Sequence, residues 1–140
     1  MKKYVLIIII SLISVTLIGC GFSEENRLTS EEVVEAFTEA GLDIGETREM
    51  TEDDYGLGPM KAEEGTRFLI TSLGDDNGGR ILTYKNESDL DEMKEYYDSM
   101  SEEADMLFSW TMKHKNVLVQ INGALPEEDY NEYKSALEGL

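Results

Sequence analysis

Residues 107–121, with the sequence LFSWTMKHKNVLVQI, give the strongest fold signal in the chain. Apolar and polar residues alternate through the first part, and a second alternating run follows after the polar residues 113–116. In an extended strand, alternate side chains lie on the same face of a sheet. The residues that share a face are Phe108, Trp110 and Met112 in the first run, and Val117, Val119 and Ile121 in the second. The pattern predicts a β-hairpin with its turn at residues 113–116.

A second hairpin is predicted upstream of this one. Residues 67–73 and 80–85 are strand candidates, with Phe68 and Ile70 on one face of the first and Leu82 and Tyr84 on one face of the second. The intervening residues 74–79, GDDNGG, are rich in turn formers. A shorter strand is predicted at residues 46–50.

Three helices complete the pattern. The first begins at Thr29, which forms a capping-box sequence with Glu32, and it ends at Gly41. The second covers residues 89–100 with Ser88 as its N-cap, and the third begins at Pro126. Each has large apolar residues at helical spacing on one side.

Together these elements predict an α+β domain over residues 29–140. We expect an antiparallel sheet of two hairpins with helices on one face, preceded by an N-terminal helix and by a cleaved signal peptide. About 110 residues are enough for one domain to fold around its own core.

The chain is strongly acidic, and this excludes some partners. It has 12 basic and 30 acidic residues, a formal net charge of −18. A nucleic-acid ligand would need a basic surface to replace phosphate counterions, so we expect none. Repulsion would also keep the domain from an anionic lipid surface, so attachment to a membrane requires another means.

The first 19 residues differ from the rest. Lys2 and Lys3 precede an apolar run of about 14 residues, which ends at Gly19. As a helix this run would be roughly 21 Å long, too short for a bilayer core of about 30 Å. A basic start, a short apolar run and a small residue are typical of a secretory signal peptide.

The tetrapeptide Leu17-Ile18-Gly19-Cys20 resembles the lipobox of bacterial lipoproteins. The resemblance implies that Leu17, Ile18 and Gly19 are recognised by a signal peptidase that removes residues 1–19. It also implies a diacylglyceryl group on Cys20, a lipidated tether over residues 20–28, and a domain held on the extracytoplasmic face of the cell membrane. The rest of the chain resembles small Gram-positive lipoproteins, a diffuse likeness that brings no catalytic residues.

Catalytic candidates are few. Cys20 is the only cysteine and His114 the only histidine, which rules out an internal disulfide and disfavours a histidine-based zinc site. Carboxylates are abundant, but no feature of the sequence selects a pair for acid–base catalysis. The sequence therefore predicts no enzyme activity and no cofactor.

Two acidic loops are candidate contact sites. In residues 51–59, Asp53, Asp54 and Tyr55 could contact a cationic partner. In residues 74–79, the run Asp75, Asp76 and Asn77 suggests a cation site. The spacing of an EF-hand fails there, because Arg80 stands where the loop needs glycine.

The sequence favours a lipid-anchored, non-enzymatic interaction or adaptor protein whose partner is an envelope protein. One alternative is a lipoprotein that captures a ligand or cation through the two loops. A second alternative is an envelope hydrolase that uses a carboxylate pair.

Overall fold

Residues 21–140 are described by a computed structural model, in which five antiparallel strands form one sheet. The strands are β1 (Thr47–Glu49), β2 (Glu64–Leu69), β3 (Gly78–Thr83), β4 (Ser109–His114) and β5 (Val117–Asn122). Their order across the sheet is β1-β2-β3-β5-β4. Both predicted hairpins are confirmed, and β3 joins them by pairing with β5. The predicted turns are too long, because Lys113 and His114 belong to β4 and residues 78 and 79 belong to β3.

The helices are α1 (Ser30–Glu39), α2 (Glu52–Tyr55), α3 (Glu87–Glu103) and α4 (Glu127–Glu138). The predicted capping box of α1 is confirmed: Glu32 N donates to Thr29 Oγ1 at 3.2 Å, and Thr29 N donates to Glu32 Oε2 at 2.8 Å. The positive φ of Gly41, 75°, follows the end of α1 as expected.

Two helix predictions need correction. Helix α3 starts earlier than predicted, because Asn86 rather than Ser88 is its N-cap and accepts a hydrogen bond from Asp89 N. Residues 51–59, predicted to be loop, contain α2. Its capping box joins Thr51 to Asp54, a pattern that the acidic composition of the segment concealed.

The α+β class is confirmed, but the placement of the helices on one face of the sheet is wrong for α3. One core cluster holds Phe37 of α1 and Tyr133 of α4 against Ile81 and Val119. A second cluster packs Met93 and other α3 residues against Leu82 and Leu118. Since Ile81 pairs with Val119, and Leu82 with Leu118, the two clusters lie on opposite faces of the sheet.

Trp110 sits at the edge of the first core. Its indole N–H donates to Leu125 O at 2.8 Å, and its ring stacks on Tyr130 with centroids 4.5 Å apart. Phe108, predicted to share this strand, precedes β4 and is 40% exposed, with its ring edge-on to Trp110 at 4.9 Å.

The segment before α1, residues 22–28, is hydrogen-bonded to the domain at both of its ends. Phe22 N donates to Lys85 O at 3.0 Å. The side chain of Asn116 accepts from Leu28 N at 2.6 Å and donates to Leu28 O at 3.0 Å. Residues 22–28, assigned to the tether from the sequence, are therefore bound to the domain surface.

The predicted signal peptide, its recognition residues Leu17, Ile18 and Gly19, and Cys20 lie outside the described residues. Within residues 21–140, no helix is long and apolar enough to cross a membrane.

Candidate functional site

Three arginines lie side by side on the sheet face that carries α3. Arg48 of β1 is opposite Arg67 of β2, and Arg67 is opposite Arg80 of β3. Across the next pairings, Arg80 is opposite Gln120. We call Arg48, Arg67 and Arg80 the arginine row. Like charges on directly paired positions repel, so the row needs a compensating group.

That group is Asp54 in the short helix α2, which covers the row. Arg48 Nη1 and Nη2 form a two-pronged ion pair with Asp54 Oδ2 and Oδ1 at 2.7 and 2.8 Å. Arg67 Nη1 lies 3.5 Å from Asp54 Oδ1. Arg80 Nε donates to the backbone carbonyl of Asp54 at 3.2 Å. All three arginines therefore hold α2 against the sheet.

The Asp54 side chain is 7% exposed, and its surroundings strongly favour the ionised over the protonated carboxyl. Hydrogen bonding from Arg48 holds the pKa of the Asp54 carboxyl well below its usual range, against the opposing effect of burial. Thr51 N also donates to Asp54 Oδ2 at 2.8 Å. One carboxylate thus caps α2 and neutralises part of the row, so it is not free to bind a cation from solution.

The two acidic loops selected from the sequence lie close together. Arg67 Nη2 donates to the carbonyl of Asp76, so the same guanidinium contacts Asp54 and Asp76. Asn77 is structural: its side chain donates to Leu73 O and accepts from Asn122 Nδ2. Asp53, Asp75 and Asp76 are exposed, and Tyr55 packs at the edge of the second core.

This geometry does not favour cation capture. A guanidinium, rather than an open cluster of oxygen ligands, lies between the loops. In the described part of the chain, no group of three or more metal-binding side chains comes together. Like charges would instead repel a cation from the arginine row.

A cleft of about 290 Å³ opens beside Arg80. It lies between α2, the C-terminal part of α3 and the ends of β4 and β5. Its polar lining includes the acidic residues Asp53 and Asp54 together with Arg80, Tyr97, Gln120 and Asn122. Its apolar lining consists of Met100, Met106, Leu107 and Phe108. We call the last three, which are 90%, 44% and 40% exposed, the apolar rim.

The polar lining has unused hydrogen-bonding capacity. Arg80 Nη1 donates to Gln120 Oε1 at 2.7 Å, but Arg80 forms no ion pair with any carboxylate of residues 21–140. Tyr97 is 6% exposed, and its hydroxyl has no hydrogen-bond partner. Burial raises the pKa of Tyr97 to about 12, while the nearby charge of Arg80 acts in the opposite direction.

Neither Asp43 nor Asp54 suits the role of general acid in the hydrolase alternative. Hydrogen bonds hold the pKa of both carboxyls below its ordinary value, and a general acid needs the opposite shift. A larger cavity of about 460 Å³ is lined by Glu31, Glu49, Glu63 and Glu64.

The sequence analysis missed the arginine row and the cleft. It also did not select Tyr97 as a residue of the site. The available signal was the position of Arg67 and Arg80 within predicted strands of an acidic chain, where charged residues need a reason to occur.

Comparison with known proteins found no matching family model, no similar curated protein and no similar solved structure. The fold and the site define an acidic α+β domain with an apolar-rimmed cleft beside an arginine row, and function has to be argued from that cleft.

Proposed function

We propose that this chain is a bacterial lipoprotein whose domain is a non-enzymatic binding module at the cell envelope. The anchoring part rests on the lipobox-like residues 17–20 and on the basic, apolar start of the chain. Two acyl chains on Cys20 would anchor the protein stably, at about 0.8 kcal/mol per buried methylene. Its contact surface would be the cleft beside Arg80.

One observation carries the binding part of the proposal. Within residues 21–140, Arg80 has no carboxylate partner and the buried Tyr97 hydroxyl has no acceptor, and both residues line the same cleft. Buried polar groups are normally satisfied, so an unsatisfied one beside a cleft supports the proposal that a ligand completes the bonding there. The exposed apolar rim beside them adds surface that a partner can bury.

The position of the cleft suits contact with a partner rather than with the anchoring membrane. Phe22 is bound at Lys85, just before the start of α3, whereas the rim follows the end of α3. The 17 residues of α3 span about 25 Å. A domain anchored two residues before Phe22 would therefore carry the cleft at its far end.

The anchoring proposal is tested with Cys20→Ala. We expect mass spectrometry of the natural protein to find a diacylglyceryl adduct on Cys20. We expect the variant to lack this adduct and to lose the association with membranes that resists washing with high salt. An unmodified Cys20 together with unchanged fractionation of the variant would refute the anchor.

The binding proposal is tested by cross-linking on living cells. A photoreactive residue at Met106, which is 90% exposed on the rim, should give a defined adduct with an envelope protein. The matched control is the same residue at Glu39, exposed at the end of α1 on the other face of the sheet. Adducts that are equally frequent at both positions, or none at any rim position, would refute the cleft as the contact surface.

A further inference from the structure

The arginine row beside the cleft carries more positive charge than the single carboxylate of Asp54 neutralises, and the cleft lining itself holds Arg80 together with Asp53 and Asp54. The Asp54 carboxylate is already paired with Arg48 and Arg67. Within residues 21–140, Arg80 donates hydrogen bonds to the Asp54 carbonyl and the Gln120 side chain and pairs with no carboxylate. A guanidinium presents a planar fork of donors that matches a carboxylate. The missing partner of Arg80 is therefore an anion of carboxylate type.

A second donor lies at the same position. The Tyr97 hydroxyl is buried and has no hydrogen-bond partner among residues 21–140, and Tyr97 and Arg80 both line the cleft. A carboxylate has two oxygens, which can accept from both groups. Gln120, 6% exposed and also in the lining, fixes the orientation of the guanidinium. The guanidinium of Arg80 is therefore fixed in position by a buried neighbour, unlike a mobile charge on the surface.

The remaining lining sets the size and character of the ligand. Met100 and the apolar rim form one wall, and Phe108 is braced edge-on against Trp110. Ligand pockets commonly measure about 300–1,000 Å³, so about 290 Å³ holds one or two residues rather than an extended segment. The ligand must combine a carboxylate with an adjacent apolar group in that small space.

We propose that the cleft binds the carboxyl-terminal residue of a partner polypeptide, with the terminal carboxylate on Arg80 and Tyr97 and an apolar side chain against the rim. This inference rests on the proposed function and names the chemistry of its partner. A terminal residue carries its carboxylate and its side chain on one Cα, which suits a small cleft that Arg80 and the rim both line. It also brings a single negative charge, whereas an acidic segment would be repelled by a chain with a net charge of −18.

The probe is a pair of labelled tetrapeptides, Gly-Lys-Gly-Phe, as the free acid and as the C-terminal amide. They are titrated against the full-length protein purified in detergent, and fluorescence anisotropy measures binding. The fluorescence of Trp110, the sole tryptophan, gives a second readout because Phe108 links it to the cleft. We expect the acid to bind at least about ten-fold more tightly than the amide, as expected for the loss of a charge-assisted hydrogen bond.

Two variants test the assignment. Arg80→Gln should weaken binding of the acid about ten-fold or more and leave the amide unchanged. Tyr97→Phe removes a hydroxyl that bonds to nothing in the described structure, so folding should be unaffected while affinity for the acid falls about two- to ten-fold. The control is Arg27→Gln, an arginine that pairs with Glu63 near the start of the domain. It should bind both peptides as the natural protein does.

Equal affinity for acid and amide would overturn the inference, and so would tighter binding of dodecanoate or of an amidated peptide with an internal glutamate. Unchanged binding by Tyr97→Phe and Arg80→Gln would also overturn it. These outcomes are separable from failure of the proposed function. A specific cross-link at Met106 together with equal affinity for acid and amide would support the proposed binding module. It would refute only the inference that the ligand is a terminal carboxylate.

Discussion

At the scale of single residues, Asp54 is the group on which the site depends. Its carboxylate pairs with Arg48 and Arg67 and caps α2 through Thr51. Replacing it by Asp54→Asn should lower the free energy of unfolding by about 1.5–3 kcal/mol at neutral pH, the usual range for hydrogen bonds to a charged group. Urea denaturation measures the change.

The neighbouring Asp53 provides the control, because it is exposed and shows no ion pair in the described structure. Asp53→Asn should change stability by no more than about 0.5 kcal/mol. The pH dependence gives an independent check. Since folding lowers the pKa of Asp54, its contribution is complete above the ordinary value of 3.8 and is lost as the pH falls toward the lower folded pKa. The gap between the natural protein and Asp54→Asn should therefore narrow below that pH, and a constant gap would contradict the ion pair.

At the scale of elements, a glycine at the centre of the sheet lets neighbouring strands approach closely. A Cβ at Gly79 of β3 would lie 2.6 Å from Gln120 O on β5 and 2.6 Å from the Phe68 ring. Gly79→Ala should therefore destabilise the domain by about 1–3 kcal/mol, as overpacking does in other cores. Thermal unfolding followed by circular dichroism tests this.

Gly139, after α4, is the matched control for this substitution. A Cβ there would lie 3.5 Å from its nearest neighbours, which is ordinary contact. Gly139→Ala should unfold at nearly the same temperature as the natural protein. Equal melting of both alanine variants would show that β3 and β5 can separate to admit a side chain.

The elements themselves were largely predictable, because their signals are local. Alternation predicted both hairpins, and the pair Thr29 and Glu32 predicted the start of α1. The error about α3 has a physical cause. Ile81 and Leu82 are consecutive apolar residues in β3, and residues 117–119 are an apolar run in β5. Consecutive apolar residues are typical of strands that are buried on both faces. Alternation alone selects one face of each strand, so the core on the opposite face was not predicted.

The site could not be predicted in the same way, because it depends on pairing between distant elements. Arg48, Arg67 and Arg80 lie on three strands, and only the register of the sheet places them in one row. The position of α2 over that row follows from contacts across the fold, not from its own four residues. The attachment of a lipid to Cys20 was predicted from the sequence alone, and it stays a prediction.

At the scale of the whole molecule, charge is divided between surface and sheet. The first turns of α1, α3 and α4 carry acidic residues, which suits the positive ends of these helices, whereas the arginine row lies on the sheet beneath α2. The surrounding negative field opposes binding of acidic chains but leaves a short-range positive group in the cleft. This arrangement supports the proposal that the partner is neutral or basic and brings one local carboxylate.

The tyrosines set the stability of the whole domain at alkaline pH. Tyr84, Tyr97 and Tyr133 are at most 6% exposed. Burial raises the pKa of Tyr97 and of Tyr133 to about 12, and it raises the pKa of Tyr84 as well. Their ordinary value is 10.0, so the unfolded chain releases these protons first. The raised pKa values leave stability unchanged below pH 10 and weaken it as the pH rises above 10, by about 1.4 kcal/mol per pH unit for each tyrosine.

Tyr84→Phe separates this effect from ordinary loss of contacts. The Tyr84 hydroxyl has no hydrogen-bond partner, so the variant should be at least as stable as the natural protein at pH 7. Above pH 10 it should lose stability with a shallower slope, because one ionising group is gone. Tyr133→Phe should instead lose stability already at pH 7, since the Tyr133 hydroxyl donates to Asp43 O at 2.7 Å. Denaturation at several pH values, with phenolate absorbance recorded in parallel, measures both effects. Complete ionisation of all tyrosines near pH 10 in a domain that remains folded would contradict the burial of these three hydroxyls.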